Sequence, residues 1–155
     1  MIAAYIEQTA AMMQKVCTPI GKHPGGVFGF LTEHGREYQF RPLPDDVRAG
    51  PPKACFETCQ CLAADFERFT YCEGYAAGII PVLHAWVTDA SGYVIDPTWT
   101  GGKGRAPMGS QYFGVAIRTA YVIQHMISTG HHRPILDDWS RDYPILRARV
   151  EDWKP

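Results

Sequence analysis

Three side chains in this sequence have the types and the chain order needed for nucleophilic chemistry: Cys55, His84 and Asp96. A cysteine attacks a carbonyl carbon as its thiolate, and a neighbouring imidazole can accept the thiol proton. A carboxylate on the far side of the imidazole fixes the orientation of the ring. The sequence therefore predicts a thiol nucleophile assisted by a histidine and an aspartate, provided that the surrounding elements bring the three together.

The segment that begins near Cys55 has the periodicity of a helix. Its apolar residues recur every three or four positions between Ala54 and Phe69, and this stripe comprises Cys55, Cys59, Leu62, Phe66 and Phe69. Cys55 occupies the first turn, where backbone N–H groups lack partners and the helix dipole is positive. Both effects favour a thiolate. Cys59 lies one turn further along, where these effects fade, and Cys61 faces away from the stripe.

His84 and Asp96 lie in two segments that are predicted to form a hairpin. The strand-like segments span Leu83 to Thr88 and Tyr93 to Asp96, with turn-forming residues between them. A turn centred near Ala90 would set His84 directly opposite Asp96. Side chains in that relation have Cβ atoms about 4.5–5.5 Å apart and share one face of the sheet. The carboxylate could then orient the imidazole.

The rest of the chain supplies the elements that position these residues. Further helices are predicted over the N-terminal segment up to Cys17, over Thr119 to Thr129 and near Ile145 to Trp153. Further strands are predicted near Val27 to Leu31, Glu37 to Arg41 and Tyr71 to Ala76. Together these indicate a single α+β domain over residues 1–155, in which an antiparallel sheet packs against the helix that carries Cys55 at its N-terminus.

Composition and charge limit the partners of this chain. Hydrophobic residues make up 46% and charged residues 20% of its 155 residues, and the formal net charge is -1. Without a polybasic field, nucleic acid is not expected as a partner. No apolar run approaches the roughly 20 residues that span a membrane. Glu7, Gln8 and Gln14 interrupt the first segment, so no signal peptide is expected and the predicted compartment is the cytoplasm, where cysteines remain reduced.

Four motifs between Lys53 and Trp99 follow one another in a characteristic order. A cysteine opens a helix, a strand with aromatic residues and a glycine follows at 71–75, and then come His-Ala-Trp at 84–86 and Asp-Pro-Thr at 96–98. This segment resembles the core of the transglutaminase-like, papain-like cysteine peptidase superfamily. It departs from the transglutaminase pattern at Lys53, where glycine is typical, and at Phe56, where tryptophan is typical.

The resemblance implies a role for each matched residue. Cys55 would be the nucleophile, His84 the general base and then the general acid, and Asp96 the residue that orients His84. The implied fold is a papain-like or transglutaminase-like core. The implied reaction is hydrolysis of a peptide or other amide bond through a thioester acyl-enzyme, with no cofactor. The substrates would be peptides, proteins or small amides.

Further residues are predicted to complete this site. The backbone N–H of Cys55 could stabilise the oxyanion, and Gln39 is the predicted side-chain donor beside it. Trp86 and Trp99 flank the histidine and the aspartate and are candidates for lining the substrate cleft, with packing in the core as the alternative. The loops at 42–53 and 100–110 are expected to line the pocket.

Three alternatives remain open from the residues alone. An amine or a glutamine substrate would make the chain a transglutaminase or a glutamine deamidase instead of a hydrolase. Four cysteines and a histidine could hold zinc, but their spacing lacks the C-x2–4-C pairs of common structural sites, so no metal is expected; these residues are Cys55, Cys59, Cys61, Cys72 and His84. A non-catalytic binding module could also use the same fold. The oligomeric state is not readable from the sequence.

Overall fold

The computed structural model describes residues 1–99 and 111–155 and has an α+β fold. The described helices are α1 (Ile2–Val16), α2 (Gly26–His34), α3 (Cys55–Asp65), α4 (Thr119–Thr129), α5 (Pro144–Arg147) and α6 (Val150–Trp153). The described strands are β1 (Arg36–Tyr38), β2 (Thr70–Ala77), β3 (Pro81–Thr88), β4 (Val94–Ile95) and β5 (Gln111–Ile117). A short 3₁₀ turn, Trp139–Arg141, precedes α5. None of these described helices has the length and apolar character needed to cross a membrane.

The strands form one antiparallel sheet in the order β1-β5-β2-β3-β4. This sheet curls, because the segment after β1 reaches the strand at the opposite edge. The Val94 N–H donates to the Gln39 carbonyl at 2.8 Å, and the Arg41 N–H donates to the Val94 carbonyl at 3.1 Å. The curl brings the rings of Tyr38 and Trp86 within 5.5 Å of each other. The concave face therefore encloses a core of its own, which consists of Tyr38, Cys72, Ala76, Trp86, Val94 and Tyr112.

The helices cover the convex face and bury the larger core. Alternate strand residues such as Tyr71, Ala85 and Val115 point to this side and are almost completely buried. Helix α3 packs against β3, where the Cys59 thiol lies 3.5 Å from the Ala85 carbonyl oxygen. Helix α3 is thus held against the strand that carries His84.

Helices α1, α3 and α4 confirm three of the helices that were predicted from the spacing of apolar residues. Gly130 ends α4 in the left-handed conformation (φ 66), as its position predicts. Helix α3 ends at Asp65, earlier than predicted, because Phe66 has an extended backbone and its side chain turns to solvent. The predicted helical tail is split into α5 and α6, because Ala148 and Arg149 are extended.

The predicted strand at Val27 to Leu31 is wrong, because these residues belong to α2. The buried residues of this segment are Val27, Phe30 and Leu31, a spacing of three and four that suits a helix. Gly25, with φ of 82, turns the chain into the first helical residue. Of the predicted partner strand at Glu37 to Arg41, Glu37 and Tyr38 pair with β5 within β1, and Phe40 forms an isolated bridge with Val94.

Strand β5 is an inner strand of the sheet, and no local residue pattern predicts it. It lies between β1 and β2 and sets Gly114 opposite Gly74. A Cβ on Gly114 would lie 2.3 Å from the Glu73 carbonyl oxygen and 2.7 Å from the Trp86 ring. Glycine at this position therefore leaves room for Trp86 on the concave face.

Candidate active site

Cys55 is the first residue of α3 and is 7% exposed. The chain turns into this helix at Lys53, whose backbone is left-handed (φ 68). The Thr58 N–H donates to the Ala54 carbonyl at 2.9 Å and closes the first turn. The N–H of Cys55 precedes the first intrahelical bond, so it has no partner within the helix. The positive end of the helix therefore lies beside the Cys55 thiol.

His84 and Asp96 form a buried pair, with His84 Nε2 2.7 Å from Asp96 Oδ2. His84 is 8% exposed and Asp96 is 0% exposed. The predicted register is wrong by two residues: Val87 lies opposite Ile95, and continuing that ladder sets Asp96 opposite Trp86. His84 and Asp96 still make contact, because a register shift of two residues keeps both side chains on the same face of the sheet. They are diagonal neighbours on that face.

Every oxygen of the Asp96 carboxylate is bound. Oδ1 accepts hydrogen bonds from the Thr98 N–H at 3.0 Å, the Thr98 hydroxyl at 3.2 Å and the Trp99 N–H at 3.0 Å. Oδ2 accepts a bond of 2.9 Å from the Tyr112 hydroxyl, in addition to its contact with His84. Burial alone would raise the pKa of Asp96, but the contact with His84 and the backbone donors lower it. The group is therefore a fixed carboxylate at neutral pH.

The surroundings of His84 favour its protonated form. Burial by itself lowers the pKa of an imidazole, but hydrogen bonds and charge from Asp96 and Cys55 outweigh it and raise the pKa of His84 to about 9. Because Nε2 contacts Asp96, Nδ1 is the ring atom available to Cys55. The imidazole therefore links the thiol to the buried carboxylate.

The structure places the two predicted cleft tryptophans differently. The ring of Trp99 stands at 71° to that of His84, with centroids 4.8 Å apart, and it is partly exposed at the edge of the site. Trp86 is completely buried in the concave core, so the prediction that it lines a cleft is wrong. The predicted pocket loop at 42–53 is irregular, and the one at 100–110 lies outside the described residues.

Gln39 is not placed as an oxyanion donor, and that prediction is wrong. Its neighbours Tyr38 and Phe40 pack in the concave core, so alternation turns the Gln39 side chain outward. It is exposed and lines surface cavities beside Glu37. The backbone carbonyl of Gln39 is instead used to bind the Val94 N–H and close the curl of the sheet.

The other four thiols have surroundings unlike that of Cys55. Burial raises the pKa of the Cys59 thiol well above its usual value and that of Cys72 to about 12. Cys61 is partly exposed, with its sulfur 4.0 Å from His132 Nε2. Cys17 is exposed. All five are free thiols.

The predicted cysteine-rich zinc alternative finds no support in the geometry. Across residues 1–99 and 111–155, the one group of three side chains close enough to share a metal contains no cysteine. Cys59 and Cys72 lie in separate cores on the two faces of the sheet.

Sequence reasoning missed Tyr112, which donates to Asp96 from β5. The only local signal is an apolar stretch that reads equally well as strand or as buried helix. The contact of Tyr112 with Asp96 depends on the pairing of β5 with β2 and on the curl of the sheet. Comparisons with protein-family models, curated proteins and solved structures found no match to this chain. We therefore infer the function from the chemistry of the site.

Proposed function

We propose that this chain is a cysteine hydrolase that cleaves a peptide or other amide bond through Cys55, His84 and Asp96. The observation that carries this proposal is the buried contact of 2.7 Å between His84 and Asp96, with Cys55 as the second partner of the same imidazole. A buried carboxylate and histidine can serve structure alone. The thiol at a helix N-terminus on the other side of the ring is what favours catalysis.

In the proposed reaction, His84 accepts the thiol proton of Cys55, which leaves a thiolate beside a protonated imidazole. The sulfur attacks the amide carbon, and the carbonyl electron pair moves to oxygen, where the backbone N–H of Cys55 stabilises the charge. Collapse of this intermediate breaks the C–N bond, and His84 gives its proton to the leaving amine. A water molecule then loses a proton to His84 and attacks the thioester. The carboxylic acid product leaves, and Cys55 returns to the thiolate.

Asp96 takes no proton in this scheme. Its five hydrogen bonds hold the carboxylate still and charged, so that it orients the ring and stabilises the imidazolium. The proposed fold is a papain-like or transglutaminase-like core, and the proposed setting is the cytoplasm. The proposed substrates are peptides, proteins or small amides, with neither nucleic acid nor membrane as a partner.

Alkylation of the purified chain tests the proposed nucleophile. Iodoacetamide would be applied at pH 6–7, and the rate at each cysteine would be followed by peptide mass spectrometry. We expect Cys55 to react about ten times faster than Cys17, although Cys17 is exposed and Cys55 is buried. Exposure alone predicts faster alkylation of Cys17, whereas activation predicts faster alkylation of Cys55. Faster reaction at Cys17 in the folded chain would falsify the proposal.

Variants separate activation of Cys55 from its accessibility. In His84→Ala, the reaction of Cys55 at pH 6–7 should fall by about tenfold, while that of Cys61 stays constant. Loss of cleavage in Cys55→Ala, with activity retained in Cys59→Ala, would support the assignment; the reverse would place the nucleophile at Cys59.

The products distinguish the possible reactions of the acyl-enzyme. A peptide panel would be incubated with the chain in the presence and absence of a primary amine. Cleaved peptides indicate hydrolysis, amine-linked glutamine indicates a transglutaminase, and free ammonia indicates a deamidase. We expect cleaved peptides, since water is the acceptor in the proposed reaction. Absence of all three products in a chain with a reactive Cys55 would favour a binding module.

A further inference from the structure

A second group of chemically active side chains lies at the far end of α2, outside the proposed active site. His23 belongs to the loop before α2, and Glu33 and His34 are its last residues. One ligand atom from each side chain lies within 4.8 Å of the other two. We propose that His23, Glu33 and His34 bind a zinc ion through two imidazole nitrogens and one carboxylate oxygen.

Each imidazole has a buried nitrogen that faces the Glu33 carboxylate. His23 is 2% exposed, and its Nδ1 has no hydrogen-bond partner. The side chain of His34 is 10% exposed, and its Nε2 is buried without a partner as well. Buried polar atoms almost always form hydrogen bonds, so two buried nitrogens that approach one carboxylate without forming one suit a shared metal ion.

Each histidine nitrogen lies close to the carboxylate of Glu33, at a separation near that of two ligands of one ion. Glu33 Oε2 lies 3.0 Å from His23 Nδ1, and Glu33 Oε1 lies 3.4 Å from His34 Nε2. Zinc bonds of about 2.0–2.2 Å at tetrahedral angles separate neighbouring ligand atoms by about 3.4 Å.

The donor set selects the kind of ion. Calcium and magnesium take oxygen ligands, whereas two imidazoles and one carboxylate are typical of zinc and related divalent ions. The side chain of Glu33 is 49% exposed, which provides an entry path and room for water as a fourth ligand. Lys22 Nζ lies 3.9 Å from Glu33 Oε1 on an exposed side chain, and it is the cation that zinc would displace.

The surrounding structure holds the ligands in place. The backbone of His23 is fixed by its N–H bond to the Ile20 carbonyl at 3.0 Å and by its own carbonyl, which accepts from Gly26 at 3.1 Å. The Leu146 carbonyl is a hydrogen-bonding neighbour of the same imidazole, as is common behind metal-binding histidines. Phe30 lies 4.8 Å from the His34 ring and 5.0 Å from the His23 ring, which gives both an apolar wall.

Zinc titration of the metal-free chain, made without a histidine tag, tests this site. We expect one zinc ion per chain by elemental analysis, with affinity measured by calorimetry. Glu33→Gln and His34→Gln should each weaken binding by about tenfold or more. The matched controls Glu37→Gln and His131→Gln change exposed residues and should leave the affinity unchanged. Equal affinity in all four variants would overturn the proposal.

Cobalt substitution distinguishes this site from binding by thiols. Cobalt at two imidazoles and a carboxylate should give visible d–d absorption without a thiolate-to-cobalt charge-transfer band. A charge-transfer band, or no zinc binding at micromolar concentrations, would overturn the proposal in the unaltered chain, whatever the folding of the variants. Zinc should also raise the melting temperature of the chain but not that of Glu33→Gln.

Discussion

The backbone N–H of Gly50 donates a hydrogen bond of 2.9 Å to the carbonyl oxygen of Pro97. Gly50 precedes Cys55 by one short turn of chain, and Pro97 directly follows Asp96. This hydrogen bond therefore connects the loop before α3, which carries Cys55, to the residues that follow Asp96. The distance between the thiol and the His84–Asp96 pair depends on this contact as well as on the packing of α3 against β3.

Gly50→Ala should disturb this hydrogen bond. A Cβ at this position would lie 2.8 Å from Thr58 Oγ1 and 3.2 Å from Thr98 Cγ2. We expect the free energy of unfolding to fall by about 1–3 kcal/mol and Cys55 to be alkylated more slowly, because α3 must shift. Urea titration and the alkylation rate measure the two effects.

Two variants control for the effect of Gly50→Ala. Gly78→Ala places its Cβ 4.0 Å from the nearest atom, on Trp99, and should change little. Adding Thr58→Ala to Gly50→Ala removes the closest clash and should restore part of the alkylation rate. Full stability in Gly50→Ala alone would contradict the steric argument.

Tyr112→Phe tests the residue that binds Asp96 from β5. Removal of the hydroxyl leaves Asp96 Oδ2 in contact with His84 alone, so the free energy of unfolding should fall by about 1.5–3 kcal/mol. The alkylation rate of Cys55 should change by less than about threefold, because the contact between His84 and Asp96 remains. Tyr93→Phe, at a partly exposed ring, is the matched control. A larger loss of reactivity than in Asp96→Asn would show that Tyr112 acts directly.

The elevated pKa of His84 predicts how stability depends on pH. The folded chain holds this proton to about pH 9, against 6.5 for a free imidazole. The stabilisation, of the order of 3 kcal/mol, is therefore complete below pH 6.5 and is lost as the pH rises through 9. The difference in unfolding free energy between the parent chain and His84→Gln should narrow over that range. Urea titrations from pH 6 to pH 10 measure it, and a constant difference would contradict the assigned shift.

Glu73 makes a prediction of the same sign in a lower range of pH. This buried carboxylate accepts hydrogen bonds from Ile135 N–H at 2.8 Å, Leu136 N–H at 2.9 Å and the Tyr71 hydroxyl at 2.8 Å. Burial outweighs these bonds and raises the pKa of Glu73 from 4.5 to about 7. The folded chain thus binds this proton more tightly, so the contribution of Glu73 to stability should decline as the pH rises from 4.5 to 7.

Glu73→Gln should remove that decline. The amide N–H₂ of glutamine would face a backbone N–H, so the variant should lose about 1–3 kcal/mol at pH 4.5. Its deficit relative to the parent should shrink towards pH 7, where the parent carboxyl becomes charged. Glu67→Gln, at an exposed position, is the control and should show neither effect. A deficit that grows with pH would contradict the raised pKa.

The parts of the fold that sequence predicts are those with a strong local period. The helix that starts at Cys55 and the strand that carries His84 both follow from residue spacing. The segment from Val27 to Leu31 is predicted as a strand because its residues favour strands locally, but their burial against α1 stabilises a helix instead. Gln39 was placed at the site by its type alone, and the curl of the sheet turned it outward.

The sequence by itself determined that Cys55 opens a helix and that His84 and Asp96 share one face of a hairpin, because both properties arise from the repeat of a helix or a strand. Only the tertiary structure decided the diagonal contact between His84 and Asp96, the arrival of Tyr112 from β5, and the bond from Gly50 to Pro97. It also decided the cluster at His23, Glu33 and His34, since a loop and a helix end meet there. These contacts join segments that are far apart in the sequence. They therefore depend on how the helices and strands pack together, and local residue spacing does not specify them.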